Sequence, residues 1–175
     1  LLSIGENPNR EGLQNTPQRM IKSWQEFFQG YHTNPETLLK TTFKKTSGYH
    51  DMVLLKDITL ESYCEHHFVP IIGKAHVAYI PEQRIVGISK LARVVDAYAK
   101  RLQIQESLTV QIADCIETTL KPKGVAVIIE ANHQCIATRG IHKQNCLMVT
   151  SHMHGLFRHD ARTRAELMQL IKTTS

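Results

Sequence analysis

An α+β fold, an antiparallel sheet covered by helices on one face, follows from three features of this 175-residue chain. Two alternating apolar stretches, 52–63 and 68–80, predict paired strands, two runs at helical spacing follow, and further extended stretches close the pattern. Two strands, two helices and two strands, with helices added at both ends, belong to that class. Neither an internal repeat nor a low-complexity linker interrupts the order. Residues 1–175 therefore read as a single domain, with an N-terminal helical part (1–50) and a core plus terminal helix (51–175).

Each element has its own signal. Thr16-Pro17 reads as an N-cap with proline at the first helical position. Met20, Ile21, Trp24, Phe27 and Phe28 then keep helical spacing until Gly30. Asn34-Pro35-Glu36 starts a short helical turn, and 41–48 carries little signal. In the first strand, alternation places Leu54, Ile58 and Leu60 on one face. Val77, Tyr79 and Ile80 belong to the second, where Gly73 allows a bend or bulge, and Cys64 to His67 falls at the junction.

Ser89 caps a helix bearing Leu91, Val94, Val95, Tyr98 and Leu102. The next, from about Glu106 to Leu120, turns Leu108, Ile112, Cys115, Ile116 and Leu120 inward, and Pro122 and Gly124 end it. Strands are predicted over 124–131 and 135–139, with extended chain over 146–150. Asp160 caps a last helix with Leu167, Leu170 and Ile171.

An apolar share of 42% and a charged share of 21% fit a soluble globular protein. The longest apolar run, 125–129, is far too short for a bilayer, and the first six residues lack the regions of a signal peptide. Residue 1 is not Met, so the chain is expected to begin inside a longer product. Four cysteines without a secretory signal point to a reducing, cytoplasmic compartment and free thiols, although two disulfides would also use an even count. The net charge of +5 implies polyanionic partners. The basic residues form no long run and sit singly beside Ser, Thr and Gly, which favours a small phosphorylated ligand over nucleic acid.

The chemistry concentrates in Cys64-Glu65-His66-His67, answered by His133-Gln134-Cys135. Cys64, His67 and Cys135 offer zinc three ligands, and His66 and His133 lie beside them unneeded for holding the metal. Catalytic zinc keeps three protein ligands and an open position, so this set points to a reactive metal with nearby bases. Cys64 and His67, three apart, converge only if the chain turns there. His133 and Cys135, two apart, share a face if the chain is extended. Free Cys is often simply buried, and a closed structural site would take a fourth ligand from His66, His133 or Cys146.

From these residues the chain resembles the GTP cyclohydrolase I family. The match runs from Thr16-Pro17-Gln18-Arg19 through Ser62-Tyr63-Cys64-Glu65-His66-His67-Phe68 and Gly73-Lys74-Ala75-His76-Val77-Ala78-Tyr79-Ile80-Pro81. It continues through Gly87-Ile88-Ser89-Lys90-Leu91-Ala92-Arg93, Gln105-Glu106, His133-Gln134-Cys135, Arg139-Gly140, Thr150-Ser151 and Gly155-Leu156-Phe157. The resemblance implies the tunnelling fold, with sheets of neighbouring subunits joined into a barrel, a homodecamer, and active sites at subunit interfaces. It also implies conversion of GTP to 7,8-dihydroneopterin triphosphate and formate, the first step toward tetrahydrofolate or tetrahydrobiopterin.

By the same resemblance, Cys64, His67 and Cys135 hold one Zn2+ per subunit. Activated water attacks carbon 8 of the guanine while His133 protonates the adjacent nitrogen, and His66 assists later proton transfers. Glu106 grips the guanine edge, because an ionised carboxylate accepts from two neighbouring N–H donors; Gln105 is a second base contact. Ser89, Lys90 and Arg139 meet phosphate, joined by Arg19, Lys22 and Arg93. Glu65 is read as shaping the loop and His76 as a strand-surface residue.

Two departures from the family pattern stand out. Many family members carry an additional N-terminal helical region; this sequence starts late, so regulation through that region is not readable from it. Lys143-Gln144-Asn145-Cys146-Leu147-Met148 replaces several small hydroxyl residues. The alternatives are another tunnelling-fold enzyme acting on a pterin or deazapurine, and a non-catalytic zinc domain. Neither nucleic acid nor membrane is an expected partner.

Overall fold

The computed structural model describes residues 1–173. From the N-terminus, α1 (Thr16–Phe27) and α2 (Pro35–Leu39) precede β1 (Thr42–Lys44), β2 (Val53–Cys64), β3 (Pro70–Ile80) and β4 (Arg84–Val86). Then come α3 (Ile88–Ala99), β5 (Leu102–Gln103), α4 (Gln105–Leu120), β6 (Gly124–His133) and α5 (Gln134–Ala137). β7 (Met148–Gly155), α6 (Leu156–His159) and α7 (Ala161–Lys172) follow. One sheet has the order β5-β2-β3-β6-β7, and β1 pairs separately with β4. Every pairing in the large sheet is antiparallel except the short parallel contact of β2 with β5.

Period-two alternation sorts the apolar residues onto two faces. Val125, Val127 and Ile129 of β6 join Val77 and Tyr79 of β3 in the main core with Leu91, Val94, Leu108, Ile112 and Ile116 of α3 and α4. Ala126, Ile128, Ala78 and Ile80 form a smaller cluster with Phe157 and Leu167, so helices cover part of the second face as well. Phe157 is fully buried there, and its removal from water contributes roughly 3 kcal/mol.

Several local expectations give way to tertiary structure. Leu54 does not share a face with Ile58 and Leu60: the β2–β3 register shifts between Leu55 and Ile58, where Asp57 has φ 58. This bulge reverses the alternation, so Leu54 packs in the smaller cluster and Ile58 and Leu60 in the main core. Gly73 marks no bulge; it pairs regularly with Leu60 and Ala131. Glycine is needed because a Cβ there would land on the Glu130 carbonyl and 2.6 Å from Ala131 Cα. His76 is buried, and its Nδ1 accepts the Asp57 backbone N–H at the bulge.

Asn15 precedes α1 without a side-chain cap, so Thr16 is inside the helix, whereas Asn34 and Asp160 cap α2 and α7 through their side chains. Gly87 stands at the N-cap of α3, which puts Ser89 in its first turn, and Leu102 lies in β5 instead of that helix. The predicted strand over 135–139 is replaced by the helical turn α5. Among the described residues, no helix is long and apolar enough to cross a membrane.

Candidate active site

Three chain segments converge at one end of the sheet. The first is the β2–β3 connection. The Cys64 N–H donates to Val69 O and the Phe68 N–H to Cys64 O, both at 2.9 Å, closing a tight turn. Phe68 takes φ 55, a conformation that disfavours a bulky side chain, and its ring packs near Trp24 and Phe28. The N-terminal helical part thus braces the turn that swings His67 back toward Cys64.

The second segment is β5. Its parallel pairing sets Cys64 opposite Gln103, and the Glu65 N–H donates to Gln103 O at 3.1 Å. Since α4 begins two residues later, Gln105 and Glu106 start beside the turn. The third is the end of β6, where His133 stands opposite Ile71 and the chain becomes helical at once, carrying Cys135 over Cys64. His133 and Cys135 line one depression with Cys64, His66, Gln105, Glu106 and Met148. They do so across a strand-to-helix junction, not along an extended chain.

Ligand atoms of Cys64, His67 and Cys135 all lie within 4.8 Å of one another. Cys64 is buried, Cys135 half-buried and His67 exposed. Cys64 Sγ is 3.8 Å from His67 Nδ1 and 3.7 Å from His66 Nδ1. Burial and the adjacent Cys64 sulfur push the Cys135 thiol up, and the nearby Arg139 charge opposes the shift only in part. Arg139 Nη1 lies 3.0 Å from His67 Nε2. A guanidinium only donates, so that nitrogen accepts in this arrangement.

Gln105 faces inward. It is fully buried, and its amide nitrogen donates to Ile129 O, Met148 O and Thr150 Oγ1. Its Oε1 is left to accept from His133 Nε2 at 2.8 Å, which leaves Nδ1 as the free nitrogen of that imidazole. Burial lowers the His133 pKa, and the nearby Glu106 carboxylate partly opposes the shift. Glu106 itself is exposed in the first turn of α4, and His66 is exposed near Glu65.

The basic set divides. Arg139 reaches the group through His67, but Ser89, Lys90, Arg93, Arg19 and Lys22 are absent from the lining of the depression. Arg93 borders a groove with Gly30 and Lys100, and Lys22 lies on an exposed face of α1. In the departing segment Cys146 is exposed, while Met148 opens β7 and gives its carbonyl to Gln105. Sequence reasoning marked Met148 only as a bulky departure near the site, where it proves to be a lining residue, and it missed Phe68 as the strained turn residue, hinted at only by its adjacency to the motif.

Comparison with known proteins agrees with this geometry. The description "GTP cyclohydrolase I" belongs to the family model that matches residues 1–172. GTP cyclohydrolase 1 of Brucella suis is 57% identical over 173 residues, covering 99% of this chain and 81% of that protein. The enzymes of Brucella abortus and Brucella melitensis match equally, at 57% over 173 residues. Among solved structures, archaeosine synthase QueF-Like in its apo form shares the fold. Its TM-score is 0.51 at 21% identity, covering 61% of this chain and 96% of that one. With its motifs gathered at one end of the sheet and the family match spanning residues 1–172, the chain is an enzyme of the GTP cyclohydrolase I family.

Proposed function

We propose that this chain is a zinc-dependent GTP cyclohydrolase I that hydrolyses the imidazole ring of GTP to 7,8-dihydroneopterin triphosphate and formate. The observation that carries the reading is the convergence of Cys64, His67 and Cys135 within 4.8 Å, beside His66, His133 and Glu106. Two thiols and an imidazole suit a borderline-soft ion, and the paired sulfurs call for a cation. Zinc held there would supply Lewis-acid activation of the water that hydrolysis consumes. Among the described residues the ligand group contains three side chains, which favours an open position over a closed structural site.

The remaining work falls to the chain. Glu106 at the mouth accepts from the paired N–H donors of guanine, and a base without that pair leaves the carboxylate unmatched. Gln105 holds His133 by Nε2, so the lone pair on Nδ1 is the one that takes up a proton from the attacking water and hands it to the opening ring. His66 is exposed enough to exchange protons with solvent during the later rearrangement. Arg139 supplies positive charge beside the ligand group for the triphosphate.

Ser89, Lys90, Arg93, Arg19 and Lys22 lie away from this depression, so we assign them to a site completed by a neighbouring copy. Exposed Leu147 and Val149 near the outer edge of β7 support sheet-to-sheet joining into the barrel and the decamer. The free thiols of all four cysteines support a cytoplasmic setting.

The test is turnover of GTP by the assembled protein before and after metal removal. Formate and dihydroneopterin triphosphate should both disappear on stripping and return with zinc. A zinc-loaded, assembled sample that makes neither product ends the reading.

A further inference from the structure

A second group of metal-ligating side chains lies outside the site just described. Asp114 is on α4, nine residues past Gln105 and so about 13 Å farther along the helix axis. His152 and His154 are on β7, two apart and therefore on one face of the strand. That face is the one turned to α4: Thr150, of the same parity, meets both Gln105 and Thr109. The topology thus brings two imidazoles and a carboxylate together along one helix–strand seam.

Both rings point at the same oxygen. His154 Nε2 is 2.7 Å from Asp114 Oδ1, and His152 Nε2 is 3.7 Å from it. The ring centroids are 4.8 Å apart, tilted 77° to each other. All three ligand atoms lie within 4.8 Å of one another. Ligands held about 2.1 Å from a tetrahedral ion are about 3.4 Å apart, so only small side-chain shifts separate this arrangement from coordination. The imidazoles are 26% and 29% exposed and Asp114 is 51% exposed, which leaves one side open to water.

An ordinary ion pair accounts for less of this. A half-exposed His–Asp pair adds little to stability and needs one imidazole. The second ring, aimed at the same oxygen, goes beyond that need. Imidazole with carboxylate is a donor set for divalent ions of the zinc, copper and nickel class, and a poor one for calcium or magnesium.

We propose that Asp114, His152 and His154 form a second site for a divalent transition-metal ion, one that clips the edge strand β7 to α4. It is independent of Cys64, His67 and Cys135, and its donors are nitrogen and oxygen only.

Cobalt(II) titrated into the metal-stripped, assembled protein tests this. Two equivalents should bind per chain, one giving an intense thiolate-to-metal charge-transfer band and one giving only weak ligand-field bands. His152→Ala with His154→Ala should remove the second equivalent and keep the thiolate band. Cys64→Ser with Cys135→Ser should keep one equivalent and lose that band. Asp114→Asn preserves shape and should weaken the second equivalent by at least about tenfold with the circular dichroism unchanged. Binding of a single equivalent, identical in wild type and in the double-histidine variant, overturns the second site.

Discussion

Two ligand clusters border the same helix, yet they stand on opposite kinds of backbone. Cys64, His67 and Cys135 hang on irregular chain: a turn with Phe68 at φ 55, and a helical turn that begins directly after β6. Asp114, His152 and His154 stand on the interior of α4 and on β7, with no left-handed residue among them. Irregular backbone aims side chains where no regular period would bring them. Its cost is dependence on bracing, here from Trp24, Phe28 and the β5 contact. Regular backbone needs no bracing, but it offers only the faces that helical and strand periods provide. The proposed hydrolysis, which needs an activated water, proton carriers and a base-reading carboxylate in one place, draws on the first region.

The largest effects should separate the two regions outright. His133→Ala is expected to lower kcat about 10²- to 10⁴-fold, while cobalt still fills both ligand groups. Gln105→Leu removes the acceptor that holds His133 Nε2 together with the amide's donations to Ile129 O, Met148 O and Thr150 Oγ1, so it should lower stability as well as kcat, the latter by a smaller factor of about 10- to 100-fold. It should also displace the pH profile of kcat, because the imidazole loses its fixed tautomer. A reduced kcat with an unmoved profile would reduce Gln105 to a packing role.

A middle-sized effect probes the scaffold. Gly73→Ala forces a Cβ into the Glu130 carbonyl and Ala131 between β3 and β6, and should destabilise the fold by about 3 kcal/mol. The same strand pair sets Ile71 opposite His133 and so aligns two of the three converging segments. Denaturant titration followed at both cobalt signals should show the thiolate band failing earlier than the histidine–aspartate bands. Simultaneous loss would mean that the irregular region draws no special support from this strand pair.

How legible these regions were in the sequence follows from the same contrast. The strand, helix and strand order was readable because Val77/Tyr79, Leu108/Ile112/Ile116 and Val125/Val127/Ile129 keep their periods within one element. The ligand motif was readable because its residue types are rare and tightly spaced. What periodicity missed depends on contacts between elements. The bulge at Asp57 reverses the parity of β2, and nothing local in 52–60 announces it. Gly73 looked like a bend but answers to Ala131, 58 residues away. The helical turn at Gln134 replaced a predicted strand because Cys135 closes over Cys64 there. Asp114 and His152-Met153-His154 were invisible as a group until β7 was seen to lie along α4.

The smallest effect asks whether irregularity alone makes a site, and the bulge at Asp57 is the control. His76 is buried against it, with Nδ1 accepting the Asp57 N–H at 3.2 Å, and burial lowers its pKa from the ordinary 6.5. In the unfolded chain the same imidazole takes up its proton at about 6.5, so on acidification the unfolded state binds the proton first. Stability present above that pH is therefore lost as the pH falls from about 6.5 toward the lower folded value. Protonating Nδ1 also removes the acceptor for the Asp57 N–H. His133 carries a burial shift of the same sign and adds to the decline. His76→Asn keeps an acceptor near Nδ1 and cannot protonate, so thermal melts between about pH 7 and about pH 5 should fall less steeply than in the parent. GTP turnover at neutral pH should barely change, because this irregular segment carries none of the ligands. Parallel acid limbs in parent and variant would show that the bulge does not feel the charge on His76. A large loss of turnover would mean that the bulge, and not only the two turns carrying Cys64, His67 and Cys135, shapes the active end of the sheet.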